Sequence, residues 1–147
     1  MVLAFVEHDD GTPTETSLEL LALARDLAAA HGAGVAAAVF GDGGDVVADV
    51  LGPYGVETVH HVTHERLDAY APKAWGESVA QLAADLDVDA VVAPGTDRGQ
   101  EVMAHVGASM DLPMAANCLD VSLDDDGSYE MTRQRWGGSL IEHARLS

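Results

Sequence analysis

Two stretches of this 147-residue chain carry residue types that could meet a ligand. In Pro94-Gly95-Thr96-Asp97-Arg98-Gly99, two glycines, a hydroxyl and an arginine stand ahead of an expected helix. Backbone N–H groups and a guanidinium so placed can hold an anion, which makes Gly95, Thr96, Arg98 and Gly99 the candidate anion loop. The same glycines would equally serve a plain strand-to-helix turn, and Asp97 and Glu101 flank the loop with charge that opposes a phosphate. The second stretch, Glu7-His8-Asp9-Asp10-Gly11, follows the first expected strand.

Other candidate chemistry is weaker. His60-His61-x-x-His64 invites a metal, but neighbouring residues of a strand face opposite ways and cannot easily share one ion. Cys118 is the one cysteine, so no intrachain disulfide is possible, and a core role suits it better than a nucleophile's. Asp124-Asp125-Asp126-Gly127 lacks the further ligands of a calcium loop and reads as a solvated turn. No nucleophile elbow, zincin helix or Walker loop is present. No catalytic residue and no metal site is therefore expected.

The elements that must position these loops follow from periodicity. Strands are expected at Val2 to Glu7, Val35 to Phe40, Thr58 to Val62 and Ala90 to Ala93. Helices are expected up to His31-Gly32, over Asp45 to Leu51, over Lys73 to Leu86 and over Glu101 to Met110. The first helix should start at Thr12-Pro13 with proline at the first helical position, or at a competing capping box from Thr16 to Glu19. Four alternations of strand and helix call for a Rossmann-like, mostly parallel sheet with helices on both faces. Ligands in such sheets sit beyond the carboxyl ends of the strands, where both candidate loops lie. After Pro113 the pattern becomes an antiparallel hairpin, Leu119 to Leu123 and Tyr129 to Arg135, then a last strand from Ser139 to Ala144. Arg133 and Trp136 in this segment are the candidate interface anchors, since arginine and tryptophan dominate protein contacts.

Charge narrows the partners. Asp and Glu number 25 against 7 Lys and Arg, a net charge of −18. That field repels nucleic acid and anionic membranes. It fits a hydrated surface that stays soluble in high salt, hence a halophilic host. No apolar run is long enough to span a bilayer, and no leader is apparent, so a reducing cytoplasm is expected.

The order of motifs supplies a resemblance. Val2-Leu3-x-x-x-Glu7-His8-x-x-Gly11 and Ser17-Leu18-Glu19-Leu20-Leu21 resemble the opening of an electron transfer flavoprotein alpha subunit. So do Tyr54-Gly55-Val56 before a strand, Asp89 through Glu101, Leu112-Pro113-Met114 through Asn117-Cys118, and Met131-Thr132-Arg133-Gln134-Arg135-Trp136-Gly137-Gly138. Gln100-Glu101 replaces the family's Arg-Asp, and Gln134 replaces its proline. The resemblance implies a single N-terminal domain over 1–147, with an adenine nucleotide alpha hydrolase-like fold. It also implies an electron carrier rather than an enzyme. It implies a beta-subunit partner that holds AMP, and FAD held mainly by a second, C-terminal domain of the alpha subunit. None of that domain's glycine-rich flavin motifs occurs before Ser147, so no flavin is expected on this chain. The competing class is a nucleotide-binding signalling module resembling universal stress proteins. Against it, three residues separate Gly95 from Gly99, and Gly107-Ala108-Ser109 interrupts the second glycine pair that class requires.

Overall fold

The structure is a computed structural model. It describes residues 1–63, 70–112, 114–115, 118–123, 125–135 and 140–146, with 118–120, 132–135 and 140–146 described by their backbone. The elements run β1 (Val2–Phe5), β2 (His8–Asp9), β3 (Thr12–Pro13), α1 (Glu15–Ala30), β4 (Val35–Phe40) and α2 (Gly44–Leu51). A 3₁₀ turn over Gly52–Tyr54, β5 (Val56–Val62), α3 (Pro72–Leu86), β6 (Ala90–Val92) and α4 (Asp97–Met110) follow. The last three strands are β7 (Cys118–Leu123), β8 (Tyr129–Arg135) and β9 (Leu140–Leu146).

Every pairing of the main sheet is parallel, in the order β5-β4-β1-β6. β1 and β4 are central and buried along their whole length, so their near-continuous apolar runs serve two cores at once. Val2, Ala4, Val6, Val35, Ala37 and Val39 point to the side of Leu21, Ala24 and Leu27 of α1 and Val47 and Leu51 of α2. Leu3, Phe5, Ala36, Ala38 and Phe40 point to the side of Trp75, Val79 and Ala83 of α3 and Val102 and Val106 of α4. The period-two alternation of a strand thus feeds helices on both faces. Among the described residues, no helix is long and apolar enough to cross a membrane.

The expected hairpin and last strand after residue 113 join in a single sheet. β7, β8 and β9 form a three-stranded antiparallel sheet, with Arg133 opposite Cys118 on one side and Glu142 on the other. Val121 and Tyr129 pack on the α1 side of the main core.

Two helix starts differ from expectation. Thr12 and Pro13 do not begin α1; they pair with Asp9 and His8 in a two-residue-loop hairpin whose tip is Asp10-Gly11. Both tip residues have positive φ, 48° and 97°, the geometry of a primed turn, and Asp-Gly is its preferred sequence. The cap falls to Thr14, whose hydroxyl accepts the Ser17 N–H at 3.3 Å. Likewise α4 begins at Asp97, a turn before Glu101, because Thr96 is its N-cap.

Candidate functional site

The chain leaves β1 to one side through β4 and β5, then crosses back to place β6 on the other side of β1. At such a reversal the connections leave in opposite directions and a crevice opens beyond the strand ends. Here a cleft of about 330 Å³ lies at that edge, lined by Glu7, His8 and Asp10 after β1, Phe40 and Asp42 at the end of β4, and Tyr70, Trp75 and Arg98 ahead of or within α3 and α4.

Glu7 is fixed first. Its N–H donates to Ser17 Oγ at 2.8 Å, and its carbonyl accepts the Thr14 N–H at 3.0 Å. Ser17 is wholly buried and also accepts from Thr14 Oγ1 at 2.9 Å, so the first turn of α1 clamps the end of β1. From the other side, the Thr96 hydroxyl donates to Glu7 Oε1 while its oxygen accepts the Gly99 N–H at 3.0 Å. One hydroxyl therefore caps α4 and ties it to β1. It also leaves a carboxylate beside the start of α4, where the helix dipole favours negative charge.

The β1 and β4 loops close on each other through glycine. Gly43 has φ +89°, and a Cβ there would lie 2.6 Å from Gly11 N and 2.8 Å from the Asp10 carbonyl carbon. His8 bridges the same two loops. The Gly11 N–H reaches its Nδ1 at 3.0 Å, which assigns the ring proton to Nε2, and Nε2 donates to the Phe40 carbonyl at 2.6 Å.

An aromatic wall closes the α3 side. Phe40 and Trp75 stack with centroids 4.5 Å apart and planes 15° apart, and the Tyr70 ring stands edge-on to Trp75 at 5.1 Å. The Arg98 guanidinium carbon lies 4.1 Å from the Tyr70 centroid and 5.7 Å from that of Trp75, within reach of a cation–π attraction. Tyr70 donates its hydroxyl to Glu101 Oε2 at 2.8 Å. Burial, then that hydrogen bond and the Glu101 charge, push the phenol up to about 12.

The four residues of the candidate anion loop thus have distinct places. Gly95 has open space around it. Thr96 is committed to Glu7 and the cap, and Arg98 lies on Tyr70. Gly99 is required by packing, since a Cβ there would strike the Pro94 carbonyl oxygen. His61 turns Nε2 to the Gly41 carbonyl at 2.9 Å, and His64 lies outside the described residues. Among the described residues, no group of three or more histidine, cysteine or acidic side chains is placed to hold a metal ion. The Arg133 side chain and all of Trp136 lie outside the described residues as well. Sequence reasoning did not single out Tyr70, Asp42 or Trp75 as site residues. The available signal was position, because Tyr70 immediately precedes a helix that opens with Pro72 after a parallel strand.

Comparison with known proteins now bears on these features. The family model for the electron transfer flavoprotein domain matches residues 2–146. The electron transfer flavoprotein subunit alpha of Thermoanaerobacterium thermosaccharolyticum is 23% identical over 137 residues, covering 93% of this chain and 42% of that protein. Protein FixB of Rhizobium meliloti is 27% identical over 145 residues, covering 95% of this chain and 41% of that protein. The subunit alpha of Syntrophomonas wolfei is 28% identical over 146 residues, covering 97% and 44%. The chain therefore spans less than half the length of these relatives. On a match that runs through every described element, the chain belongs to the electron transfer flavoprotein family, with alpha and FixB subunits among its relatives.

Proposed function

We propose that this chain is the N-terminal scaffold domain of an electron transfer flavoprotein alpha subunit, and that it pairs with a beta-type subunit. The assembly passes electrons from dehydrogenases through FAD held outside these 147 residues, in the cytoplasm. The observation that carries this reading is the family match over residues 2–146 combined with relatives of alpha type. That this chain covers 41–44% of three alpha and FixB relatives supports a flavin held in the remainder of such a protein. The redox chemistry belongs to the flavin, and the role assigned to this domain is to position it.

In this reading the Gly95-to-Gly99 loop holds no phosphate. The Thr96 hydroxyl is already donated to Glu7, and Asp97 and Glu101 add charge of the wrong sign. The partner contact runs over the antiparallel sheet, with Arg133 and Trp136 as its anchors. The test is capture of a co-expressed beta-type subunit, scored by size-exclusion chromatography, with Trp136→Ala as the variant. Stable capture that Trp136→Ala weakens supports the proposal. No capture, together with micromolar AMP or ATP binding lost on Arg98→Ala, would instead place the chain among nucleotide-binding signalling modules.

A further inference from the structure

We propose that Trp75 and Tyr70 form a redox-active pair, in which an electron vacancy on the Trp75 indole passes to the Tyr70 ring while the Tyr70 phenolic proton passes to Glu101. The two rings stand edge to face with centroids 5.1 Å apart, close enough for direct electron exchange. A phenol gives up an electron readily only if its proton has somewhere to go, because the oxidised phenol is a strong acid. Here the acceptor is in place, since the hydroxyl already donates to Glu101 Oε2 at 2.8 Å. Of the three tyrosines, Tyr70 alone combines ring contact with a tryptophan and a hydroxyl on a carboxylate, among the described residues. Tyr129 lies against His31 and donates to the Asp89 carbonyl instead.

Burial and charge set the direction and couple the proton to the electron. Trp75 is buried, stacked on Phe40 and edge-on to Phe5, whereas Tyr70 is half-buried and lines the open cleft. The Arg98 guanidinium carbon lies 4.1 Å from the Tyr70 centroid and 5.7 Å from that of Trp75. That fixed charge opposes a cationic radical on either ring and leaves a neutral tyrosyl radical unopposed. The phenol, pushed up to about 12, keeps its proton at neutral pH, so the proton leaves with the electron and not before it. The step balances. A one-electron oxidant takes an electron from Trp75. Tyr70 then gives one electron to the indole and its proton to Glu101, leaving a neutral tyrosyl radical and a protonated carboxyl. An oxidising equivalent is thereby moved from the buried core to a ring that a solution reductant can reach.

The test is laser flash photolysis of the purified chain carrying Trp136→Phe, which leaves Trp75 as the one tryptophan. The pulse ejects an electron from the indole, and dissolved oxygen takes it up. The indole radical absorbance should decay as the tyrosyl band rises, at one rate that does not change with protein concentration. Tyr70→Phe keeps a ring against Trp75, and it should abolish the tyrosyl band and leave the indole radical long-lived. Glu101→Gln removes the proton acceptor from an exposed position, and it should slow the transfer by about tenfold or more. Thermal melts verify that each variant is folded. The proposal is overturned if no tyrosyl band forms in Trp136→Phe, if that band survives Tyr70→Phe, if its rise quickens with protein concentration, or if Glu101→Gln transfers as fast as its parent. The measurement involves neither flavin nor a beta-type subunit, so its outcome is independent of the family role proposed above.

Discussion

Thr96 does two things with one oxygen, and its substitution separates them. It caps α4 and delivers a proton to Glu7. Thr96→Val keeps the shape but removes both, and should cost about 1–2 kcal/mol in equilibrium unfolding. Thr96→Ser should recover most of it. Gly99→Ala tests packing instead, since its methyl meets the fixed Pro94 carbonyl, and a loss of about 1–3 kcal/mol is expected. Tyr70 offers a third measurement at this scale. Its phenol is pushed up to about 12 by burial and by Glu101. The fold thus retains a proton that the unfolded chain loses near pH 10. The stability this provides is intact below about pH 10 and is lost as pH rises towards about 12. In an alkaline absorbance titration, Tyr70 should ionise late, and Glu101→Gln should bring it down. An unchanged late phase in Glu101→Gln would remove the carboxylate from the account.

Between elements, the most informative joint is where the antiparallel sheet meets the parallel one. Tyr129 on β8 reaches past the end of α1 to the strand before it pairs. Its hydroxyl lies 2.8 Å from His31 Nε2 and donates to the Asp89 carbonyl at 3.2 Å. His31 is the C-cap of α1, and Asp89 immediately precedes β6. One phenol therefore ties three elements, and burial with the nearby Asp89 charge raises its pKa. Tyr129→Phe should destabilise the protein by about 1 kcal/mol while leaving the ring contacts in place. Hydrogen exchange should quicken first in β8 and leave β1 and β4 protected. Uniform loss of protection across both sheets would mean that they unfold as one unit and that this joint is not a boundary.

Across the whole molecule, two expectations follow from charge and from length. With a net charge of −18, mutual repulsion among surface carboxylates opposes the compact state when little salt is present. The melting temperature should rise between low and molar potassium chloride, and coincident melts would remove the halophilic reading. In the proposed reading, the flavin is held by protein outside these 147 residues. After desalting, the purified chain should show no visible flavin absorbance. A retained yellow colour with a flavin spectrum would move the FAD site into this domain.

The two central strands and the three longer helices were legible in the sequence because their signals are local and repeated. Val35 to Phe40 is apolar without a break, and Trp75, Val79 and Ala83 recur at helical spacing. The family was legible for a similar reason, since its motifs fall in order along the chain, and the match over residues 2–146 bears that out. The start of α1 was misjudged where two local signals competed. Thr12-Pro13 offers a helix start, but Asp10-Gly11 also offers a hairpin, and the hairpin prevails because Thr14 can both cap α1 and bond to Glu7. The cleft was legible only as a location, two loops at the carboxyl edge of a parallel sheet. Its contents depend on residues far apart in the chain. Glu7 meets Thr96, and Phe40, Tyr70 and Arg98 meet at Trp75, only once β1, β4 and β6 lie side by side. Local periodicity sets which segments become strands and helices, but it carries no information about which side chain faces another across the sheet. That is decided by strand order and by the packing of helices on each face.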